Sequence, residues 1–154
     1  MKKLLILASL IFVFAATGAV TAQSRKSVGA AEVSGTFRSY YSGKFKDSYS
    51  EIKILALGKG KLRVAFELVY PYIDGTGERS ANMGYADGTA TIEGDTAVYS
   101  SDEFGQCEIT IKFIKPGTIK VMQSDTDSDC GFGFNVNAGG KYKKSSGAKP
   151  KFEQ

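Results

Sequence analysis

Aspartates at positions 125, 127 and 129 alternate with Thr126 and Ser128 and run directly into Cys130. Alternate carboxylates in a turn can converge on a hard cation such as Ca²⁺. The complete calcium-loop pattern wants glycine at its sixth position and glutamate at its twelfth. Counted from Asp125, those positions hold Cys130 and Val136. The segment therefore reads first as a solvated acidic turn. No metal is expected, and Asp125, Asp127 and Asp129 stand as the one calcium candidate.

Cys107 and Cys130 are the only cysteines, and the chain has no histidine. A zinc site needs more ligands than two thiolates. Free thiols do not persist in an oxidising compartment. The pair is thus expected to form a disulfide. With no histidine there is no Ser–His or Cys–His nucleophile pair. Asp102 and Glu103 could in principle do glycosidase work, but nothing distinguishes them from a polar hairpin end. Gly131-Phe132-Gly133-Phe134 is glycine-rich without opening a helix, so it is no phosphate loop. It is expected to turn the chain while Phe132 or Phe134 packs on the domain's end. The expectation is a non-enzyme without a cofactor.

The compartment follows from the N-terminus. Lys2 and Lys3 precede an uncharged, mostly apolar run from Leu4 to Ala16, and Val20-Thr21-Ala22 supplies small residues for cleavage after Ala22. The run is too short to span a bilayer, and no cysteine lies near the cleavage site to carry a lipid. Residues 1–22 are read as a signal peptide, which makes the protein periplasmic or secreted, with no stable membrane anchor after cleavage. Removing Lys2 and Lys3 from a formal net charge of +4 leaves +2. That balance is too mild to imply nucleic acid or an anionic membrane as a partner.

The exported chain is long enough for one domain with a real core. Residues 23–32 read as a loose leading segment, 33–144 as the domain and 145–154 as a solvated basic tail. Between the ends, apolar and polar residues alternate at the strand period. Strands are predicted over residues 33–41, 49–57, 61–70, 88–93, 97–101, 106–114, 118–123 and 140–144. Gly58-Lys59-Gly60, Glu93-Gly94-Asp95 and Lys115-Pro116-Gly117 carry tight-turn chemistry. The segment from Pro71 to Asp87, rich in Gly, Asp, Ser and Asn, is read as the one long loop. In the sixth strand Cys107, Ile109, Ile111 and Phe113 share one face, and Glu108, Thr110 and Lys112 share the other. One wet face is the mark of an antiparallel sheet. The fold class is all-β: an antiparallel meander of about eight short strands, closed into a small barrel or folded as a two-sheet sandwich.

A resemblance adds to this. Gly35-Thr-Phe37, the Gly58-Lys-Gly60 hairpin, the run from Gly88 to Tyr99, Cys107 to Phe113, Ile119 to Gln123, Cys130-Gly-Phe-Gly133 and Gly140-Lys-Tyr142 follow one another. This succession resembles small secreted bacterial β-domains, some of them linked to periplasmic lysozyme inhibitors of the LprI and MliC kinds. It covers residues 33–144 and implies an exported bacterial barrel. The MliC-type Ser-Gly inhibitory loop has no match here, so no inhibitory residue is carried over.

Two functions are compatible with these readings. The first is a binding or inhibitor domain that docks an extracytoplasmic protein such as a lysozyme, with Tyr72, Asp74, Glu78, Arg79, Asn82 and Tyr85 as the contact set, because loops carry function. The second is a lipocalin-like carrier with a small apolar ligand inside. Large residues at the inward positions would favour the first. Oligomeric state is left open.

Overall fold

The structure is a computed structural model that describes residues 27–124 and 126–152. The signal-peptide reading of residues 1–22 and the candidate ligand Asp125 lie outside the described residues. Eight strands form one closed barrel in sequence order: β1 (Gly35–Tyr40), β2 (Tyr49–Gly58), β3 (Lys61–Ile73), β4 (Arg79–Glu93), β5 (Thr96–Ser101), β6 (Cys107–Lys115), β7 (Thr118–Gln123) and β8 (Gly140–Ser146). Every neighbouring pair is antiparallel, and β8 closes on β1 with Phe37 opposite Lys144 and Arg38 opposite Lys143. The barrel, and not the sandwich, is therefore the architecture. Within the barrel wall every strand is paired on both edges.

Alternation explains the core. Leu62, Val64, Phe66 and Leu68 of β3 and Cys107, Ile109, Ile111 and Phe113 of β6 all point inward and are buried. Phe37, Ile52, Ile54, Ile119, Val121 and Tyr142 join them. An eight-stranded barrel is just wide enough for side chains to fill. Tyr142 stands among them with its hydroxyl donating to the Ala138 carbonyl at 2.9 Å, and burial pushes its pKa well above the ordinary tyrosine range.

Tight turns close one end of the barrel: Gly58-Lys59-Gly60, Gly94-Asp95 and Pro116-Gly117. Gly117 takes the left-handed conformation, φ 73°, that a Pro-Gly turn requires. A short helix, α1 (Ala30–Val33), precedes β1 here and buries Val33. Lys144 reaches inward and donates to the carbonyls of Ala31, Glu32 and Ser34 at 3.0, 2.7 and 2.8 Å. These are the carbonyls a helix end leaves unpaired, and burial lowers the pKa of this lysine.

Two segments differ from the sequence reading. The expected long loop from Pro71 to Asp87 is instead the far half of the β3–β4 hairpin, whose register runs unbroken from Lys61 opposite Thr91 to Ile73 opposite Arg79. Only Asp74 to Glu78 turns. At Gly84 the small residue is imposed by packing: a Cβ there would lie 2.7 Å from Val136 and 2.8 Å from Phe132. The expected loose tail also packs. β8 runs on through Ser146, Pro150 is buried, and the Arg63 guanidinium stacks 4.6 Å from the Phe152 ring.

The hairpin projects past its neighbours. β2 pairs with β3 only as far as Glu51 opposite Glu67. Beyond it the Val69 N–H donates to Ser50 Oγ at 3.1 Å, and the Tyr41 hydroxyl donates to the Val69 carbonyl. Side chains thus replace the missing strand. Pro71 is the next residue on that edge, and it has no N–H to leave unpaired there.

Candidate functional site

The second end of the barrel is built by the β3–β4 ribbon, the β5–β6 loop and the long β7–β8 connection. Cys107 at the start of β6 and Cys130 in that connection form the disulfide, with Cα atoms 4.7 Å apart. The bridge fastens the connection across the barrel mouth, where Phe132, Val136 and Ala138 are buried and serve as the lid of the core. The Ala138 N–H donates to Gln123 Oε1 at 2.9 Å. The Gly133 N–H donates to the Met83 carbonyl at 3.0 Å, so the connection also covers part of the open edge of β4.

Backbone conformation sorts the two phenylalanines of the glycine-rich run. Gly131 has φ 70° and Asn135 φ 62°, and each left-handed residue reverses the local direction. Phe132 turns inward. Phe134, two residues on, is 78% exposed. Gly131 is also required sterically, because a Cβ there would lie 2.4 Å from the Phe104 ring.

The six residues of the expected contact set do not form one surface. Asp74 shapes the ribbon tip: its Oδ1 accepts from the Thr76 N–H at 2.9 Å, the Thr76 hydroxyl at 2.6 Å and the Glu78 N–H at 3.0 Å. Glu78 completes that turn, its carbonyl accepting from the Asp74 N–H. Tyr72 is half-buried on the inner face of the ribbon, opposite Ser80. Arg79 faces Asp47 at 3.9 Å and the Phe45 ring. Asn82 Nδ2 donates to the Phe134 carbonyl at 2.7 Å and so holds the lid. Only Tyr85 faces a hollow that a ligand could enter.

The hydrogen bonds at Asp74 lower its carboxyl pKa, the Thr76 hydroxyl contributing most. A depressed folded-state pKa adds stability at neutral pH that is lost as pH falls through it. Asp74 is expected to titrate below the ordinary aspartate range by NMR, and Asp74→Asn to remove that acid-dependent component. An ordinary titration would contradict the turn geometry.

Tyr85 lines a crevice of about 300 Å³ between β4 and β5, together with Asp87, Tyr99, Ser101, Glu103, Phe104 and Cys130. It exists because the β4–β5 pairing ends at Ala90 opposite Tyr99 while both strands run on. The Tyr99 hydroxyl spans the gap toward the Asp87 carbonyl at 3.5 Å. Burial raises the Tyr99 pKa; the Ser101 hydroxyl opposes this, and the Asp87 and Glu103 charges add to it. Arg63 partly neutralises Asp87 from outside at 3.3 Å. Acceptors dominate this crevice, and exposed rings flank it. Such a site accepts donors and cations and stacks flat groups.

Of the acidic turn, Asp127 and Asp129 are described. Asp129 Oδ2 accepts from the Thr126 hydroxyl at 2.6 Å and from the Thr126 N–H at 3.2 Å, so this carboxylate caps its own turn. Among the described residues no group of three or more acidic, cysteine or histidine side chains could hold a metal ion.

Sequence reading passed over Phe104 and Met83, and took Phe134 only as a ring for end packing and Glu103 only as half of a carboxylate pair. The signal was a ring set beside glycine in an acidic turn, where a core residue has no reason to be. No protein-family model, curated protein or solved structure matches the chain.

Proposed function

We propose that the chain is an exported, non-enzymatic binding domain that docks a basic extracytoplasmic protein, such as a lysozyme, at its lidded end. One observation carries this reading. Among the described residues, seven of the ten exposed large apolar side chains lie at that end: Tyr40, Tyr70, Ile73, Met83, Tyr85, Phe104 and Phe134. Exposed rings beside carboxylates are what a docking surface needs and what a solitary soluble domain avoids. Around the disulfide the charge is acidic, while Arg38, Lys44, Lys46 and Arg79 lie on the other side of that end, by Tyr49, Phe45 and the ribbon tip. No lysine or arginine occurs from Thr96 to Ile111 or from Val121 to Gly140, stretches that hold Asp102, Glu103, Glu108, Asp127 and Asp129. Electrostatic complementarity with a basic partner would speed and orient docking.

The carrier reading needs a cavity and an open mouth. Both ends are covered, by α1 with Lys144 and by the disulfide-tied lid, and Phe37, Phe66 and Phe113 are buried within. These features favour the docking domain. A disulfide is the mark of an oxidising, extracytoplasmic compartment, and among the described residues no helix is long and apolar enough to cross a membrane.

The test is titration of the chain from Gln23 onward into activity assays of several lysozyme classes, with complex formation followed by calorimetry. Inhibition near molar equivalence is expected for at least one class. Phe104→Ser and Phe134→Ser should each weaken the complex by about 2 kcal/mol, the scale of an interface hot spot, with unchanged thermal midpoints. No complex at large excess would remove lysozymes as the partner.

A further inference from the structure

The outer wall of β6, β7 and β8 carries an unusual charge arrangement. Lys112 stands directly opposite Lys120, and Lys120 directly opposite Lys141. The three side chains cross three adjacent strands in one row, at a strand spacing of about 4.8 Å. A second row beside it runs Lys115, Thr118, Lys143 and then Arg38 of β1. Like charges directly opposite one another on a sheet are destabilising.

The opposite wall shows how this chain treats such a conflict elsewhere. Glu51 and Glu67 also stand opposite one another. There Lys53 bridges them, with Arg38 bonded to Glu51 at 2.5 Å. The lysine row has no such remedy. Lys112, Lys115, Lys120, Lys141 and Lys143 make no ion pair with a described carboxylate. The nearest one along the row is Glu93, which lies beyond Thr96. Two exposed apolar side chains border the lysines on the same face: Met122 of β7 and Ile114 of β6.

We propose that this wall is a docking surface for an anionic lipid bilayer. The lysines supply attraction to acidic headgroups, each worth about a fivefold gain in affinity near the surface. Met122 and Ile114 reach the headgroup boundary, where an apolar side chain gains what a soluble polyanion could not give it. The wall is separate from the lidded end, so a membrane-held molecule would keep its proposed protein-binding surface in solution.

The test uses the chain from Gln23 onward, since the barrel and both its covers lie within the described residues. It is co-sedimented at low ionic strength with vesicles of phosphatidylcholine alone or of equal parts phosphatidylglycerol and phosphatidylcholine. Binding to the mixed vesicles only, weakening as salt is added, is expected. The triple variant Lys112→Gln, Lys120→Gln, Lys141→Gln should bind roughly a hundredfold more weakly without a fall in thermal midpoint, because repulsion is relieved. The corresponding triple arginine variant should bind as the parent does. Met122→Ser should weaken vesicle binding and leave binding to soluble polyphosphate unchanged. The proposal is overturned by equal binding to neutral vesicles, by an undiminished glutamine variant, or by binding to polyphosphate without binding to vesicles. It is equally overturned if the row serves a salt-sensitive dimer that the glutamine variant dissolves while vesicles stay unbound.

Discussion

Reducing the Cys107–Cys130 bridge, or replacing both residues by serine, is expected to lower stability by about 3 kcal/mol. The bridge closes a loop between residues 23 apart, and the chain-entropy model assigns a loop of that size about this cost. For a domain of this length that corresponds to a fall in thermal midpoint of roughly 10 °C. The damage should be local as well as global. The bridge holds the segment that carries Phe132, Val136 and Ala138 onto the core, while the eight-strand ladder does not depend on it. Amide exchange in residues 126–139 should therefore accelerate far more than exchange in β2, β3 or β6. A midpoint unchanged on reduction would mean that the lid is held without the bridge, by packing and by the hydrogen bonds of Gln123, Asn82 and Tyr142.

Phe37→Ala is expected to cost about 3–5 kcal/mol, the range for deleting a buried phenylalanine. This is a large part of the 5–15 kcal/mol that typically stabilises a domain. Phe37 is fully buried on β1, the strand that closes the barrel between β2 and β8. Its ring packs edge-on against Phe113, with centroids 6.4 Å apart and planes at 76°, and the Lys144 ammonium lies 5.2 Å away on the other side. Removing it opens a void at the seam, against the strand directly across the core. Phe37→Leu keeps most of the apolar volume and should lose less than half as much. Phe134→Ala, on a ring that is mostly in solvent, should leave stability nearly unchanged. Urea denaturation of the three variants side by side tests the ranking. Equal losses for Phe37→Ala and Phe134→Ala would contradict the assignment of one ring to the core and the other to a docking surface.

Much of the fold was legible because one face of each strand is apolar. In β6 the alternation of Cys107, Ile109, Ile111 and Phe113 with polar partners leaves one orientation that buries the apolar set. Gly117 after Pro116 places the following turn. The β3–β4 ribbon was not legible in the same way. Its inner face beyond Leu68 is Tyr70 and Tyr72 against Ser80, Asn82 and Gly84, a pattern with little strand propensity. Gly84 makes room for Phe132 and Val136, which arrive from a connection some fifty residues downstream in the sequence. A local window contains no record of that demand. The candidate contact set was sought in a loop for the same reason: in the ribbon Asp74 and Glu78 shape a turn, Asn82 holds the lid and Tyr85 lines the crevice. Which of Phe132 and Phe134 packs inward was not legible, since local alternation fails where Gly131 and Asn135 take left-handed conformations.

The sequence by itself determined the strands outside the β3–β4 ribbon, the tight turns, the pairing of two cysteines without a third partner, and the absence of imidazole chemistry. It also determined which side of each strand a residue occupies, because side chains alternate with a period of two. It did not determine which residue stands beside which on the next strand. Register depends on turn lengths and on bulges, such as those between Phe113 and Lys115 and between Thr36 and Phe37. A formal net charge of +4, with a basic C-terminal end, therefore gave no sign of a charged wall. Closure of the barrel gathered Lys112, Lys120 and Lys141 into one row and left Asp102, Glu103, Glu108, Asp127 and Asp129 on the segments around the disulfide. Charges far apart in the chain become neighbours only when the strands pair, and that pairing is what gave this protein two unlike surfaces.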